Sequence, residues 1–357
     1  MNGQNFYFDR FFYNIKCTYM PLISRLNKQK IILLFGLHFN VAAQVEYKLD
    51  ILGDEFEQAT IQQPDDYEGK VICTLVKRRD IQSKVGVLYI HGFSDYFFQA
   101  EMAENFSKQG FAFYALDLRK YGRSHLKNQK ICNVRNLNEY FTDIDTALSI
   151  MHQEGVDKIL LSGHSTGGLI VSLYANQRIG KELFDAIYLN SPFFDMNLNP
   201  ILKKLVLPLV VKKGNKTPNK IMKGGLSPWY GMSIYCKDKG EWQYNLAWKP
   251  HNAPSVNYGW LKAIYDGQKQ IHKGIKLSKP TLVMHSNNSV YTKKWKDEML
   301  TGDAVLNVKD IEKYAKKIKG NVQIQSIENG MHDLILSKKS VRDEVYFKLF
   351  KWLESAF

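Results

Sequence analysis

A serine set between glycines and a histidine far downstream could together carry nucleophilic catalysis. In Lys158-Ile-Leu-Leu-Ser-Gly163-His-Ser165-Thr-Gly167-Gly-Leu-Ile-Val, a β-type run ends at Gly163 and an apolar helical pattern starts after Thr166. A serine on such a strand-to-helix turn has strained backbone and an Oγ raised above the sheet, and its flanking glycines let neighbouring chain pass close. The helix N-terminus favours negative charge there. The hydroxyl needs a base, and chain order puts it late. His332 lies in Glu328-Asn-Gly-Met-His-Asp333, a glycine-containing turn between the last strand candidate and a final helix. His251 and His272 fall in an irregular region and His285 ends a strand, so they suit the role less. A third group, an acid, must hold the imidazole tautomer and stabilise the imidazolium. No carboxylate directly follows Thr281-Leu-Val-Met-His-Ser286. Asp303 is the favoured acid, which makes Asn287–Thr301 an excursion, and Asp297 is the alternative.

Acyl transfer through a serine also needs donors for the developing oxyanion. The apolar run Val87-Leu-Tyr-Ile-His91-Gly92-Phe93 ends in His-Gly, where such a loop supplies one donor. The backbone N–H groups of Phe93 and Thr166 are the expected pair. Two preorganised donors of this kind are worth several kcal/mol of barrier. His91 reads as a positioning residue in that loop rather than a base.

The elements that would position these groups alternate short β-type runs with longer amphipathic stretches, the pattern of a mostly parallel sheet covered by helices. Eight strands are expected: Phe56–Gln62, Lys70–Lys77, Val85–His91, Phe111–Leu116, Lys158–Ser162, Ala186–Leu189, Thr281–His285 and Val322–Ile327. The first two read as an antiparallel hairpin. Helices are expected over Gln99–Gln109, Leu137–Met151, Thr166–Gln177, Val308–Lys319 and Val341–Leu353. Between the sixth and seventh expected strands the alternation lapses, in a stretch that holds Trp229, Trp242, Trp248 and Trp260. Residues 197–278 are therefore expected to form an inserted, largely helical cap over the sheet's C-terminal edge. The core would comprise 45–196 and 279–357, and an aromatic insertion at that edge would form a pocket.

Composition excludes several other functions. The net charge of +14 arises from lysines that come in pairs such as Lys203-Lys204 and Lys212-Lys213. No Arg stripe interleaved with aromatics appears, so no nucleic-acid partner is expected. A lysine-rich solvated surface accounts for the charge and leaves room for weak peripheral contact with an anionic membrane. Cys17, Cys73, Cys132 and Cys236 are too widely spaced for a zinc or redox motif, so no metal is expected. No obligatory protein partner is evident.

Residues 1–44 differ from the rest. After Met20 come Arg25, Lys28 and Lys30, then the apolar run Ile31–Leu37, then Val41-Ala42-Ala43. That order reads as a secretory signal peptide with translation starting at Met20 and a mature chain beginning near Gln44. The protein would then be exported to the periplasm or secreted, and the alternative is a cytoplasmic protein.

As a whole the pattern resembles the α/β-hydrolases of the monoacylglycerol lipase, lysophospholipase and serine aminopeptidase-like group. The likeness runs from about Phe56 to the C-terminus. It is carried by His91-Gly92-Phe93, by Asp117-Leu-Arg119-Lys-Tyr-Gly122-Arg-Ser124, by Gly163-His-Ser-Thr-Gly-Gly168, by Asp303-x-Val305 and by Gly330-Met-His332. It implies an α/β-hydrolase fold with a cap after the sixth strand, Ser165, Asp303 and His332 as the triad, and no cofactor. The departure from the group's pattern is the missing Asp directly after the seventh strand. Asp117 and Arg119 read as structural. The function expected is hydrolysis of a small carboxylic ester, such as a monoglyceride or lysophospholipid. The alternatives are a serine aminopeptidase-like peptidase, with Asp238 or Glu241 holding the free amine, and a non-catalytic ligand binder.

Overall fold

A computed structural model describes residues 45–79, 81–222 and 226–357. The expected signal peptide and the expected start at Met20 lie outside the described residues. In chain order the elements are β1 (Lys48–Asp50), β2 (Gly53–Asp66), β3 (Gly69–Arg78), β4 (Val85–Ile90), α1 (Ala100–Lys108), β5 (Ala112–Asp117), α2 (Phe141–Gln153), β6 (Lys158–His164) and α3 (Thr166–Gln177). There follow β7 (Ala186–Asn190), α4 (Leu207–Lys216), α5 (Pro228–Ile234), α6 (Tyr258–Lys273), β8 (Thr281–Ser286), α7 (Val308–Ala315), β9 (Val322–Ile327) and α8 (Lys339–Ala356).

The strands form one nine-stranded sheet in the order β1-β2-β3-β5-β4-β6-β7-β8-β9. The pairs from β5 to β9 are parallel, and β1, β2 and β3 add antiparallel pairs at one edge. Strands β5, β7 and β8 are buried along their whole length, because helices cover both faces; their uninterrupted apolar runs follow from that double burial. The β2–β3 hairpin changes register between Gln63 and Asp66, where Pro64 has no N–H to give the ladder.

Among the described residues nine strands replace the eight expected. The additional one, β1, has three residues, too few for an alternation to show. The stretch expected as a single helix over Leu137–Met151 is two elements: a 3-10 turn over Leu137–Tyr140, closed by a capping box from Asn136 and Glu139, and then α2. The expected helix Val308–Lys319 stops at Ala315.

The order of connections creates the site. From β4 the chain passes to β5 on one side, whereas β6 lies on β4's other side, with Ile90 paired to Gly163. The C-terminal ends of β4 and β6 therefore flank a topological switch point, where no crossover fills the crevice. Residues 191–280 lie between β7 and β8 and form a cap. It is less helical than expected, since residues 235–257 contain no helix. In α6, Trp260, Leu261, Ile264 and Ile271 are buried, and this helix packs on α3 of the core.

Candidate active site

Ser165 stands between β6 and α3 with φ +51° and ψ −114°, a conformation that L-residues avoid. Such backbone costs roughly 1–3 kcal/mol and persists only when its surroundings hold it. Here the Ser165 N–H donates to Asn190 O (2.9 Å) and its carbonyl accepts from Phe193 N–H (2.9 Å). The flanking glycines are required by space. A Cβ on Gly163 would sit 2.6 Å from Gly167 O, and one on Gly167 would sit 2.4 Å from the carbonyls of Ile90 and His91.

Ser165 Oγ lies 3.0 Å from His332 Nε2, and His332 Nδ1 lies 2.9 Å from Asp303 Oδ2. A carboxylate only accepts, so Nδ1 carries the proton and Nε2 is free to accept from the serine hydroxyl. His332 and Asp303 are buried and Ser165 is 8% exposed, so the chain of bonds ends at a reachable hydroxyl. Asp303 Oδ1 also accepts from the N–H groups of Val305 (2.8 Å) and Leu306 (2.7 Å), which fixes the carboxylate plane.

Asp303 reaches this place although it follows β8 at a distance in sequence. Asp303 N–H donates to Asn288 O (3.0 Å) and Val290 N–H donates to Asp303 O (2.8 Å). Chain leaving after Val290 thus returns to the same point, and Asp303 is stitched to the end of β8. Asp297 lies within the excursion, exposed, accepting from Trp295 Nε1 (2.9 Å). Of the two candidate acids, Asp303 is the one that meets His332.

The β4 loop is held by His91. Leu118 N–H donates to its Nε2 (3.1 Å), so its Nδ1–H donates to Gly92 O (2.8 Å). Phe93 then lies beside Ser165 and Thr166 on a common cavity, its ring against Trp260 of the cap at 4.7 Å. Thr166 opens α3, where the first N–H groups have no intrahelical acceptor. Asp117 accepts from the N–H of Phe97 and from Arg123, and Arg119 forms a buried pair with Asp143 at 2.6 Å, so both stay within the scaffold.

Three polar residues with no motif of their own brace this arrangement. Asn190 ends β7, and its Nδ2 donates to Asp333 Oδ1 (2.7 Å) while its Oδ1 accepts from Leu334 N–H (3.3 Å). With the backbone bond to Ser165, Asn190 therefore ties the Ser165 turn to the His332 loop. Replacing Asn190 with alanine leaves a buried Asp333 short of a donor, and we expect a loss of about 2–4 kcal/mol. Loosening the histidine loop should also lower kcat by roughly 10- to 100-fold. Denaturant melts and steady-state kinetics would check both, and wild-type values for the variant would refute the brace.

His164, the third, donates from Nδ1 to Asn190 O (3.2 Å), and its ring lies 4.9 Å from that of His332. Burial pushes its pKa down to about 4, against the opposing pull of Asp333. It is therefore neutral in the folded protein, whereas the unfolded chain protonates near pH 6.5. The unfolded state binds the extra proton between these values, so stability present above pH 6.5 is lost as pH falls towards 4. The loss should reach about 3 kcal/mol. Urea midpoints for wild type and His164→Asn, compared from pH 7 to 4, should show a shallower fall in the variant; parallel curves would contradict this.

The cavity at Ser165 has a volume of about 510 Å³. Its wall is chiefly aliphatic, with Leu198, Leu202, Val206 and Val210 from the cap, Tyr230 near His332, and Leu306 from the acid loop. Of the four cap tryptophans only Trp260 lines it. Trp242 and Trp248 pack on Phe98 and Tyr96 of the core, and Trp229 donates to Lys293 O (3.2 Å). The cap's tryptophans mostly anchor it and leave the cavity wall to leucine and valine.

A strained serine at a switch point, a histidine loop after the last strand and a cap between β7 and β8 define an α/β-hydrolase fold. Residues 82–339 match the family described as serine aminopeptidase, S33, and the chain belongs to that family. No curated protein sequence matches it. Among solved structures, a monoacylglycerol lipase of Paleococcus ferrophilus aligns at 18% identity over 85% of this chain and all of that one, with a TM-score of 0.57. A soluble variant of the monoglyceride lipase of Saccharomyces cerevisiae, solved with a substrate analogue, aligns at 16% identity over 89% of this chain and 98% of that one, with a TM-score of 0.56. At these identities the likeness is one of fold.

Proposed function

We propose that the protein hydrolyses a carboxylic ester with an apolar acyl group, through an acyl-enzyme on Ser165. The reading is carried by one observation: the Ser165–His332–Asp303 hydrogen-bond chain opens into an aliphatic cavity. In the first step His332 Nε2 takes the hydroxyl proton as Ser165 Oγ attacks the carbonyl, and the oxyanion accepts from the N–H groups of Phe93 and Thr166. Collapse expels the alcohol, which takes the proton from His332. Water deprotonated by the same Nε2 then attacks the acyl-enzyme, and the carboxylic acid leaves as Ser165 regains its proton. Monoglycerides and lysophospholipids fit this reading, since their acyl chains could lie along Leu198, Leu202 and Val206.

Peptidase action needs an anchor for a free amine, and the two acidic candidates are otherwise engaged. Glu241 pairs with Arg342 at 2.8 Å and Asp238 faces His251 at 3.6 Å, and among the described residues no carboxylate side chain lines the cavity. A fluorophosphonate probe should label the wild type and spare Ser165→Ala. Turnover of p-nitrophenyl esters should far exceed that of aminoacyl anilides. An unlabelled wild type would favour a ligand binder, and faster anilide cleavage would favour the peptidase.

A further inference from the structure

The segment from Met196 to Lys237 contains eight lysines and no Arg, Asp or Glu, in a chain whose net charge is +14. Part of it forms a π-helical turn over Leu202–Val206 that runs into α4. Two apolar ridges with four-residue spacing run along this stretch. Leu198, Leu202, Val206 and Val210 line the cavity that ends at Ser165. Ile201, Leu205 and Leu209 face outwards and are 68%, 60% and 62% exposed. Burying such side chains would stabilise any complex that covers them, and three adjacent ones form a patch rather than isolated exposure. Lys204, Lys212, Lys213 and Lys216 are exposed around the ridge, and none pairs with a carboxylate among the described residues. Lys203 does pair, with Asp195 and Asp310.

We propose that the Ile201–Leu205–Leu209 ridge and its lysines dock on the surface of an anionic phospholipid bilayer. An apolar face fringed by lysine suits the boundary between headgroups and acyl chains, where both kinds of side chain are satisfied. A second copy of this chain suits it less, because a two-fold contact through the ridge would bring like charges together. No helix among the described residues is long and apolar enough to cross a bilayer, so the proposed contact is peripheral. The inner ridge lies beside the outer one on the same helical stretch. On the proposed esterase reading, a docked molecule would draw its acyl chain from the bilayer into the cavity without exposing it to water.

The test is co-sedimentation of the full chain with vesicles of phosphatidylcholine alone or mixed equally with phosphatidylglycerol. Wild type and Ser165→Ala should bind the mixed vesicles alike, so the result stands apart from whether Ser165 is catalytic. Pure phosphatidylcholine and high salt should weaken binding. Ile201→Ser/Leu205→Ser/Leu209→Ser, and separately Lys204→Glu/Lys212→Glu/Lys213→Glu/Lys216→Glu, should each bind at least about tenfold more weakly. A control with Leu49→Ser, Ile51→Ser and Phe347→Ser, also exposed apolar residues, should bind as wild type. Retained circular dichroism would show each variant folded. Undiminished binding by folded ridge variants would overturn the proposal. So would an equal loss in the control, or a ridge variant that dissolves a dimer in sedimentation velocity without altering vesicle binding.

Discussion

Changing Ser165 to alanine is expected to lower kcat on a p-nitrophenyl ester by about 10⁵- to 10⁶-fold, with little effect on folding. The expectation follows from the geometry at Oγ. On the proposed acyl-enzyme reading that atom, 3.0 Å from His332 Nε2, is the nucleophile, and its removal leaves the imidazole with only water to deprotonate. The backbone bonds from Asn190 and to Phe193 involve main-chain atoms and survive the change, so the strained turn should persist. Melting temperature should stay within a few degrees of wild type, because no cavity or unpaired buried charge is created. An ester rate within tenfold of wild type, in a preparation free of other hydrolases, would end the acyl-enzyme account.

Asp303→Asn is expected to cost about 10⁴-fold in kcat. The asparagine Oδ1 can still accept from the N–H groups of Val305 and Leu306, so the loop should keep its shape. Its amide, however, would donate towards His332 Nδ1. That bond selects the tautomer with the proton on Nε2, which can no longer accept from Ser165. The same change at Asp297 should alter kcat by less than about twofold, because that carboxylate is exposed and bonded to Trp295. Steady-state kinetics of the two variants make the comparison. A large loss at Asp297 with none at Asp303 would reverse the assignment of the acid.

The parts of the site legible in the sequence were those with local signals. Gly163-x-Ser165-x-Gly167 ties its glycines to a turn formed by adjacent residues, and His332 sits on a short loop bounded by a clear strand and helix. The parallel strands were legible because burial on both faces leaves unbroken apolar runs. Strand β1 was not, since three residues show no period. Asp303 was harder because its position depends on a bridge to Asn288 and Val290, which no spacing announces. Asn190, His164 and Asp333 were invisible as a group: each meets the others only when the ends of β6 and β7 and the last loop converge. The lysine pairs near residue 204 looked like ordinary surface, because exposure of the leucines between them is a property of the fold.

The closed excursion between Val290 and Asp303 has a consequence of its own. Because the two ends are hydrogen-bonded to each other, the acid is held by the knot and not by the contents of the loop. Residues 291–298 can therefore vary in number and kind with little displacement of the carboxylate, whereas Met299 is buried and a Cβ on Gly302 would sit 2.6 Å from Val290 Cγ2. That makes the exposed part of the segment tolerant ground for change beside a site whose other residues are fixed by tight packing. Its contacts with the cap, Trp229 Nε1 donating to Lys293 O and α5 packed on Asp297–Leu300, offer a way for such change to reach the cavity's roof while the Ser165–His332–Asp303 chain beneath keeps its alignment.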